Sequence, residues 1–203
     1  MFKRPLLLLF LLISAAGHAA PTPAVVVLGD SLSAAYGIPQ SAGWVHLLQR
    51  RLTERGYRYQ VVNASISGET TRGGLARLGQ VLKAHNPDIV IVELGANDGL
   101  RGLLLGEMRT NLDAIITQSR RHSAQVLLVG MHLPPNYGPA YTRKFHQVYV
   151  DLAARHRLPL VPFLLDGVAT DFSLVQPDGL HPTAAAQPRV LDNVWRHLQG
   201  MLR

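Results

Sequence analysis

Ala24-Val25-Val26-Val27-Leu28-Gly29-Asp30-Ser31-Leu32 decides the fold: five apolar, mostly β-branched residues run unbroken into a glycine and a short polar group. An apolar run of this length without polar alternation marks a strand covered on both faces, as in a parallel sheet. The pattern recurs in Tyr59-Gln60-Val61-Val62, Asp88-Ile89-Val90-Ile91-Val92 and Gln125-Val126-Leu127-Leu128-Val129. Leu160-Val161, held between Pro159 and Pro162, is a shorter fifth candidate whose prolines suit an edge. Between the runs, apolar residues repeat at helical spacing: Trp44, Leu47, Leu48 and Leu52; Leu75, Leu78, Val81 and Leu82; Leu112, Ile115 and Ile116; Val148 and Leu152. A last helix is expected from about Thr183 onward, with Pro188 early in it or kinking it. Strand and helix in alternation predict an α/β sandwich. Ser31, Gly68 and Asn97 follow the first, second and third strands, so all three gather at the carboxyl edge of the sheet, where open α/β folds bind ligands.

The 203 residues, 47% of them hydrophobic, suit one domain with an ordinary packed core. Met1-Phe2-Lys3-Arg4, the apolar run Leu6 to Ile13 and the small residues Ala15, Ala16, Gly17, Ala19 and Ala20 form the pattern of a secretory leader. That run is well short of the ~20 residues of a spanning helix, so no stable membrane anchor is expected. Residues 1–20 are therefore expected to be removed, leaving 21–203 as a single domain in the periplasm or outside the cell. With no cysteine in the chain, stability must come from the core, without disulfides. Losing Lys3 and Arg4 lowers the formal charge from +7 to +5, which favours solubility and can attract acidic small molecules or anionic headgroups. No basic run with interleaved aromatics points to nucleic acid, and with nothing to mark an interface a monomer is expected.

The polar blocks carry the chemistry. Gly29-Asp30-Ser31-Leu32 presents a hydroxyl just past a strand end, as acyl transfer to serine requires, although serine also caps helices. In Asp178-Gly179-Leu180-His181, the three-residue spacing lets the carboxylate meet one imidazole nitrogen and leaves the other to take a hydroxyl proton. The plainer alternative is a surface turn in which Asp178 caps the final helix. Attack on a carbonyl creates an oxyanion, for which the Ser31 and Gly68 amides and the Asn97 side-chain NH2 are candidate donors. Alone, Gly68 reads as a loop glycine and Gly95-Ala96-Asn97-Asp98 as a turn; it is their convergence at one sheet edge that gives them weight. The histidines show no helical i, i+4 pair beside a glutamate, so no metal is expected, and Arg72-Gly73-Gly74 fits no dinucleotide or phosphate loop. No cofactor is expected.

These four blocks, in this order, resemble the SGNH, or GDSL, hydrolase family, within it the exported bacterial thioesterases and arylesterases. The likeness extends through Val62 to Thr70, Gly74 to Leu78, Asn97 to Gly102 and Leu133 to Gly138. It implies a three-layer α/β/α sandwich of flavodoxin-like kind with a five-stranded parallel sheet. It further implies Ser31 as nucleophile, His181 as base, Asp178 as its orienter, and Ser31, Gly68 and Asn97 as the oxyanion donors. Gly99 to Leu104 match a mobile loop that closes over an acyl chain, with Gly99, Leu100, Arg101 and Gly102 as substrate-binding residues, and Leu133 and Pro134 match a groove wall. The implied substrates are small acyl esters or thioesters, or lysophospholipid. Ala96 and Glu69 depart from the glycine and aspartate common in relatives. Two other functions share the scaffold: removal of acetyl groups from carbohydrate, and acyl-ligand binding without turnover.

Overall fold

Parallel pairing organises the molecule. The structure is a computed structural model that describes residues 22–203; the expected leader lies outside them. Strands β1 (Ala24–Gly29), β2 (Gln60–Asn63), β3 (Ile89–Glu93), β4 (Gln125–Val129) and β5 (Leu160–Val161) form one sheet in the order β2-β1-β3-β4-β5. All four pairings are parallel, with Val26 opposite Val62 on one side and Val90 on the other. Every residue of β1 and β3 is buried, which is why their sequences show no polar alternation. The short β5 lies at the edge, where the flanking prolines cost no ladder hydrogen bond.

Helices α1 (Trp44–Glu54), α2 (Thr71–His85), α4 (Leu105–Arg121), α5 (Pro139–His156) and α6 (Gln187–Leu198) cover the sheet, and the five-residue α3 (Ala96–Leu100) follows β3. α1 and α6 pack together over one face, while α2, α4 and α5 pack in series over the other, completing the three layers. α6 buries Val190, Leu191, Val194 and Leu198 at helical spacing. Pro188 lies in its first turn, where the missing N–H has no helical partner to lose, so it starts the helix without kinking it. Thr70 caps α2 by accepting the Gly73 N–H at 3.3 Å, which makes Arg72-Gly73-Gly74 a helix start.

The strand order reverses direction between β1 and β3, and this switch point places the site. Crossovers run to β2 on one side of β1 and to β4 and β5 on the other, so a crevice opens beyond the carboxyl ends of β1 and β3. Ser31 leaves β1 and Asn97 leaves β3 on either side of that crevice.

Candidate active site

A line of three polar groups spans the crevice. His181 Nε2 lies 2.9 Å from Ser31 Oγ, and His181 Nδ1 lies 2.6 Å from Asp178 Oδ2. Residues 150 positions apart thus come within proton-transfer distance. Ser31 caps no helix, since α1 begins only at Trp44, and Asp178 caps its own turn instead of α6. Asp178 Oδ1 accepts the N–H groups of Leu180 at 2.9 Å and His181 at 3.0 Å, fixing the short loop around the carboxylate. Desolvation alone would raise the Asp178 carboxyl, but those two amides and the imidazole outweigh it and bring its pKa down to about 2.

The loop carrying His181 is tied to the loop carrying Ser31. Val175 bridges Pro182 in antiparallel fashion, and the Gln176 N–H donates to the His181 carbonyl at 2.7 Å. The Gln176 side-chain amide donates both to the Pro182 carbonyl at 3.0 Å and to the Tyr36 carbonyl at 2.9 Å, spanning the two loops. The Tyr36 ring rests against the His181 imidazole, centroids 4.5 Å apart. Neither Gln176 nor Tyr36 was marked as a site residue by the sequence. Only the fold brings them to the imidazole.

Gly68 and Asn97 also converge. Gly68 adopts φ +79°, a left-handed backbone that a side chain would strain. Arg101 donates to the Gly68 carbonyl at 2.9 Å and to Asn97 Oδ1 at 3.4 Å, joining the loop after β2 to the helix after β3. Asn97 Nδ2 donates to Asp30 Oδ2 at 3.1 Å, so its carboxamide is held at both ends. Ala96 opens α3 without a positive φ, and its methyl group is accommodated there. Glu69 is committed to Arg77 at 2.7 Å, away from the reacting groups.

The two segments expected to line the acyl chain meet. Gly99 and Leu100 close α3, so the stretch expected to be a mobile loop begins inside a helix, and only residues 101–104 lie outside it. Tyr141 Oη donates to the Gly99 carbonyl at 3.2 Å and Tyr137 Oη to the Leu100 carbonyl at 3.0 Å. Leu133 is buried against Gly99, where even an added Cβ would approach it to 2.8 Å, and Pro134 follows half-buried. Arg101 and Gly102 are exposed beside them.

A cavity of about 310 Å³ lies next to the Ser33–Ala35 turn, lined by His46, Gln49, Val61 and Asn63 among others, and includes none of Ser31, Asn97 or His181. Elsewhere His132 and His146 stack at 4.0 Å with Phe163 against an edge. Among the described residues no group of three or more histidines and carboxylates is placed to hold a metal ion.

A hydroxyl, an imidazole and a carboxylate aligned at the switch point of a doubly wound parallel sheet define the class, a hydrolase of carboxylic esters. The chain belongs to the GDSL-like Lipase/Acylhydrolase family, whose pattern residues 27–188 match. It is 50% identical to Esterase TesA of Pseudomonas aeruginosa over 90% of this chain and 91% of that one. It is 40% identical to Thioesterase 1/protease 1/lysophospholipase L1 of Escherichia coli K12, over 91% of this chain and 88% of that one. Its structure superposes with TM-score 0.84 on the psychrotrophic esterase EstA from a Pseudoalteromonas species, solved with monoethylphosphonate as inhibitor, at 40% identity, covering 87% of this chain and 97% of that one.

Proposed function

We propose that the protein is an exported serine esterase and thioesterase that releases acyl chains through an acyl-serine intermediate. The observation that carries this is the 2.9 Å and 2.6 Å pair of contacts joining Ser31, His181 and Asp178. As Ser31 Oγ attacks the carbonyl carbon, His181 Nε2 takes its proton, and Asp178 holds the imidazole in the tautomer that can do so. The carbonyl oxygen becomes anionic and is met by the main-chain amides of Ser31 and Gly68 and the free N–H of Asn97 Nδ2. The imidazolium returns its proton to the leaving alkoxide or thiolate. A water deprotonated by the same imidazole then splits the acyl-serine ester and restores the hydroxyl.

The substrate reading rests on the surroundings. Ile66, Leu103 and Leu104 are exposed apolar side chains beside Gly68 and Arg101, which suits an acyl chain more than a carbohydrate. The relatives' names include esterase, thioesterase and lysophospholipase. The substrate class is therefore acyl ester or thioester, with lysophospholipid as the encounter outside the cytoplasm. The leader pattern of residues 1–20 supports export, and among the described residues no helix is long and apolar enough to cross a membrane. The mature protein acts as a single domain and a monomer.

Two measurements test the reading. A fluorophosphonate probe labels Ser31 in the wild type and not in Ser31→Ala, whose kcat on p-nitrophenyl esters falls by about 10⁶. Along a chain-length series, kcat/KM rises beyond acetate. Activity confined to acetate overturns the acyl-chain assignment, and an unlabelled, inactive wild type overturns the enzyme mechanism.

A further inference from the structure

Behind the Asn97 carboxamide lie two acids for which the chemistry above has no use. Glu93 closes β3 and is fully enclosed; Asp30 follows β1 and is 1% exposed. Glu93 sits opposite Gly29 in the β1–β3 register, and a Cβ at position 29 would come within 2.8 Å of Glu93 Oε2, so the glycine makes room for the acid. Glu93 Oε2 accepts the Ser33 hydroxyl at 2.6 Å and the Asp30 N–H at 3.3 Å, while Oε1 has no protein partner among the described residues. Asp30 Oδ1 accepts the Leu32 N–H at 3.0 Å, and Oδ2 accepts Asn97 Nδ2 at 3.1 Å.

Two adjoining carboxyl groups enclosed without a cation in contact cannot both carry charge, because each ionised oxygen would lose water and repel the other. The charged and titratable groups facing the pair are His181 from the loop before α6, Asp98 from α3 and Tyr149 from α5, with Arg101 reaching it only through Asn97. Burial, followed by the Asp30 charge, pushes the Glu93 carboxyl well above its ordinary range. Burial raises Asp30 to about 6, opposed by the Leu32 amide, Asn97 and His181 and assisted by Asp98. The one shared proton therefore rests on Glu93 near neutrality.

We propose that Glu93 and Asp30 are positioning residues for the reaction: a neutral Glu93 leaves Asp30 as the only charge in the pair, and the Asp30 carboxylate holds Asn97 with one N–H aimed at the substrate oxygen. The proposal rests on the reading of Asn97 as an oxyanion donor. Each Asp30 oxygen accepts one N–H, and a proton arriving on Asp30 removes the charge that strengthens those contacts, so the hold on the Asn97 side chain weakens. Activity then requires two deprotonated groups on the acid side, the His181 imidazole and Asp30.

The test compares kcat against pH, at saturating p-nitrophenyl ester, for the wild type, Asp30→Asn and Glu93→Gln. In the wild type the acid limb of log kcat steepens toward a slope of two below about pH 6. Asp30→Asn lowers kcat at pH 8 by about 10- to 100-fold with little change in KM, less than outright loss of a donor, and reduces that slope to one. Placed in an Asn97→Ala background, Asp30→Asn costs nothing further, because it acts through the side chain already removed. Glu93→Gln, neutral and able to accept from Ser33, retains kcat where Glu93→Ala loses it. Difference infrared spectra at neutral pH show the C=O stretch of a protonated acid in the wild type, and Glu93→Gln removes it. A wild-type slope of one that Asp30→Asn leaves unchanged, full additivity with Asn97→Ala, or absence of the protonated-acid band overturns the proposal. Fluorophosphonate labelling of each variant reports separately on the nucleophile. An unlabelled wild type would overturn the hydrolase mechanism, while the infrared band still decides the state of the acid pair.

Discussion

Asp178 keeps its charge through contacts, since the carboxylate is partly open to water while two amides and the imidazole bind it. With its pKa drawn down to about 2 against an ordinary value near 3.9, its favourable contribution to the fold is present above the ordinary value and is lost only as pH falls through about 2. Loss of turnover between pH 5 and 7 therefore belongs to other groups. Asp178→Asn should lower kcat by about 10⁴ at its best pH and also lower Tm modestly at neutral pH, because the charge that the two amides and the imidazole stabilise is gone, as kinetics and a melting scan will show. Asp30 behaves with the opposite sign. Its raised pKa of about 6 means that the folded state binds a proton the unfolded chain does not between about pH 4 and 6, so this residue's contribution to stability falls as pH rises through that window. Measured as the Tm difference between pH 5 and pH 8, wild type minus Asp30→Asn, the term favours the acid side, where the same proton suppresses activity. An equal pH dependence in both proteins would contradict the buried, raised carboxyl.

Elements were legible in the sequence to the degree that their burial was uniform. β1, β3 and β4 are covered on both faces, so their apolar runs give the strands within a residue at each end: Ala24–Gly29 against an expected 24–28, Ile89–Glu93 against 88–92. β2 has no buried residue, and the run Tyr59 to Val62 places it one residue early against the observed Gln60–Asn63. α3 was hidden, because Asn97 and Gly99 are poor helix formers and their turn is held from outside, Asp98 accepting the Thr71 N–H at 2.9 Å and Tyr141 binding Gly99. Glu93 was hidden for a different reason. A charged residue ending an apolar run reads as the point where a strand meets water, and its hydrogen-bond partners Ser33 and Asp30 lie sixty or more positions away in sequence. The contact between Asp178 and His181 was legible because the two are three residues apart in one turn, whereas the contact of His181 with Ser31, 150 positions away, needed the fold. For α1, the apolar stripe makes a direct claim: Leu48 is wholly buried between helix and sheet, so Leu48→Ala should cost about 2–5 kcal/mol in urea unfolding while activity per folded molecule stays near wild type.

Across the whole molecule, exposed apolar surface is unevenly placed. Among the described residues the large hydrophobic side chains left open to water are Tyr36, Ile66, Leu103, Leu104, Tyr137, Phe172 and Leu180. Every one lies on a segment that follows the carboxyl end of a strand: Tyr36 after β1, Ile66 after β2, Leu103 and Leu104 after β3, Tyr137 after β4, Phe172 and Leu180 after β5. The exposed apolar side chains therefore share the strand-to-helix segments that carry Ser31, Gly68, Asn97 and His181. Such residues contribute little to the folded state, since no protein atom covers them, and their effect appears when a substrate chain does. Leu104 is 73% exposed and Ile66 51%, so Leu104→Ser and Ile66→Ser should leave unfolding stability within about 0.5 kcal/mol of wild type. Each leucine or isoleucine side chain fully covered by substrate is worth about 1.5–3 kcal/mol, and partial cover by a flexible chain about 1 kcal/mol, or several-fold in kcat/KM. The loss should grow from acetate to octanoate p-nitrophenyl esters and appear mainly in KM, because uniform binding of a remote chain does not distinguish ground from transition state. Equal losses on acetate and octanoate would instead place these side chains against the reacting carbonyl, and no loss on either would remove the rim from the acyl-binding surface.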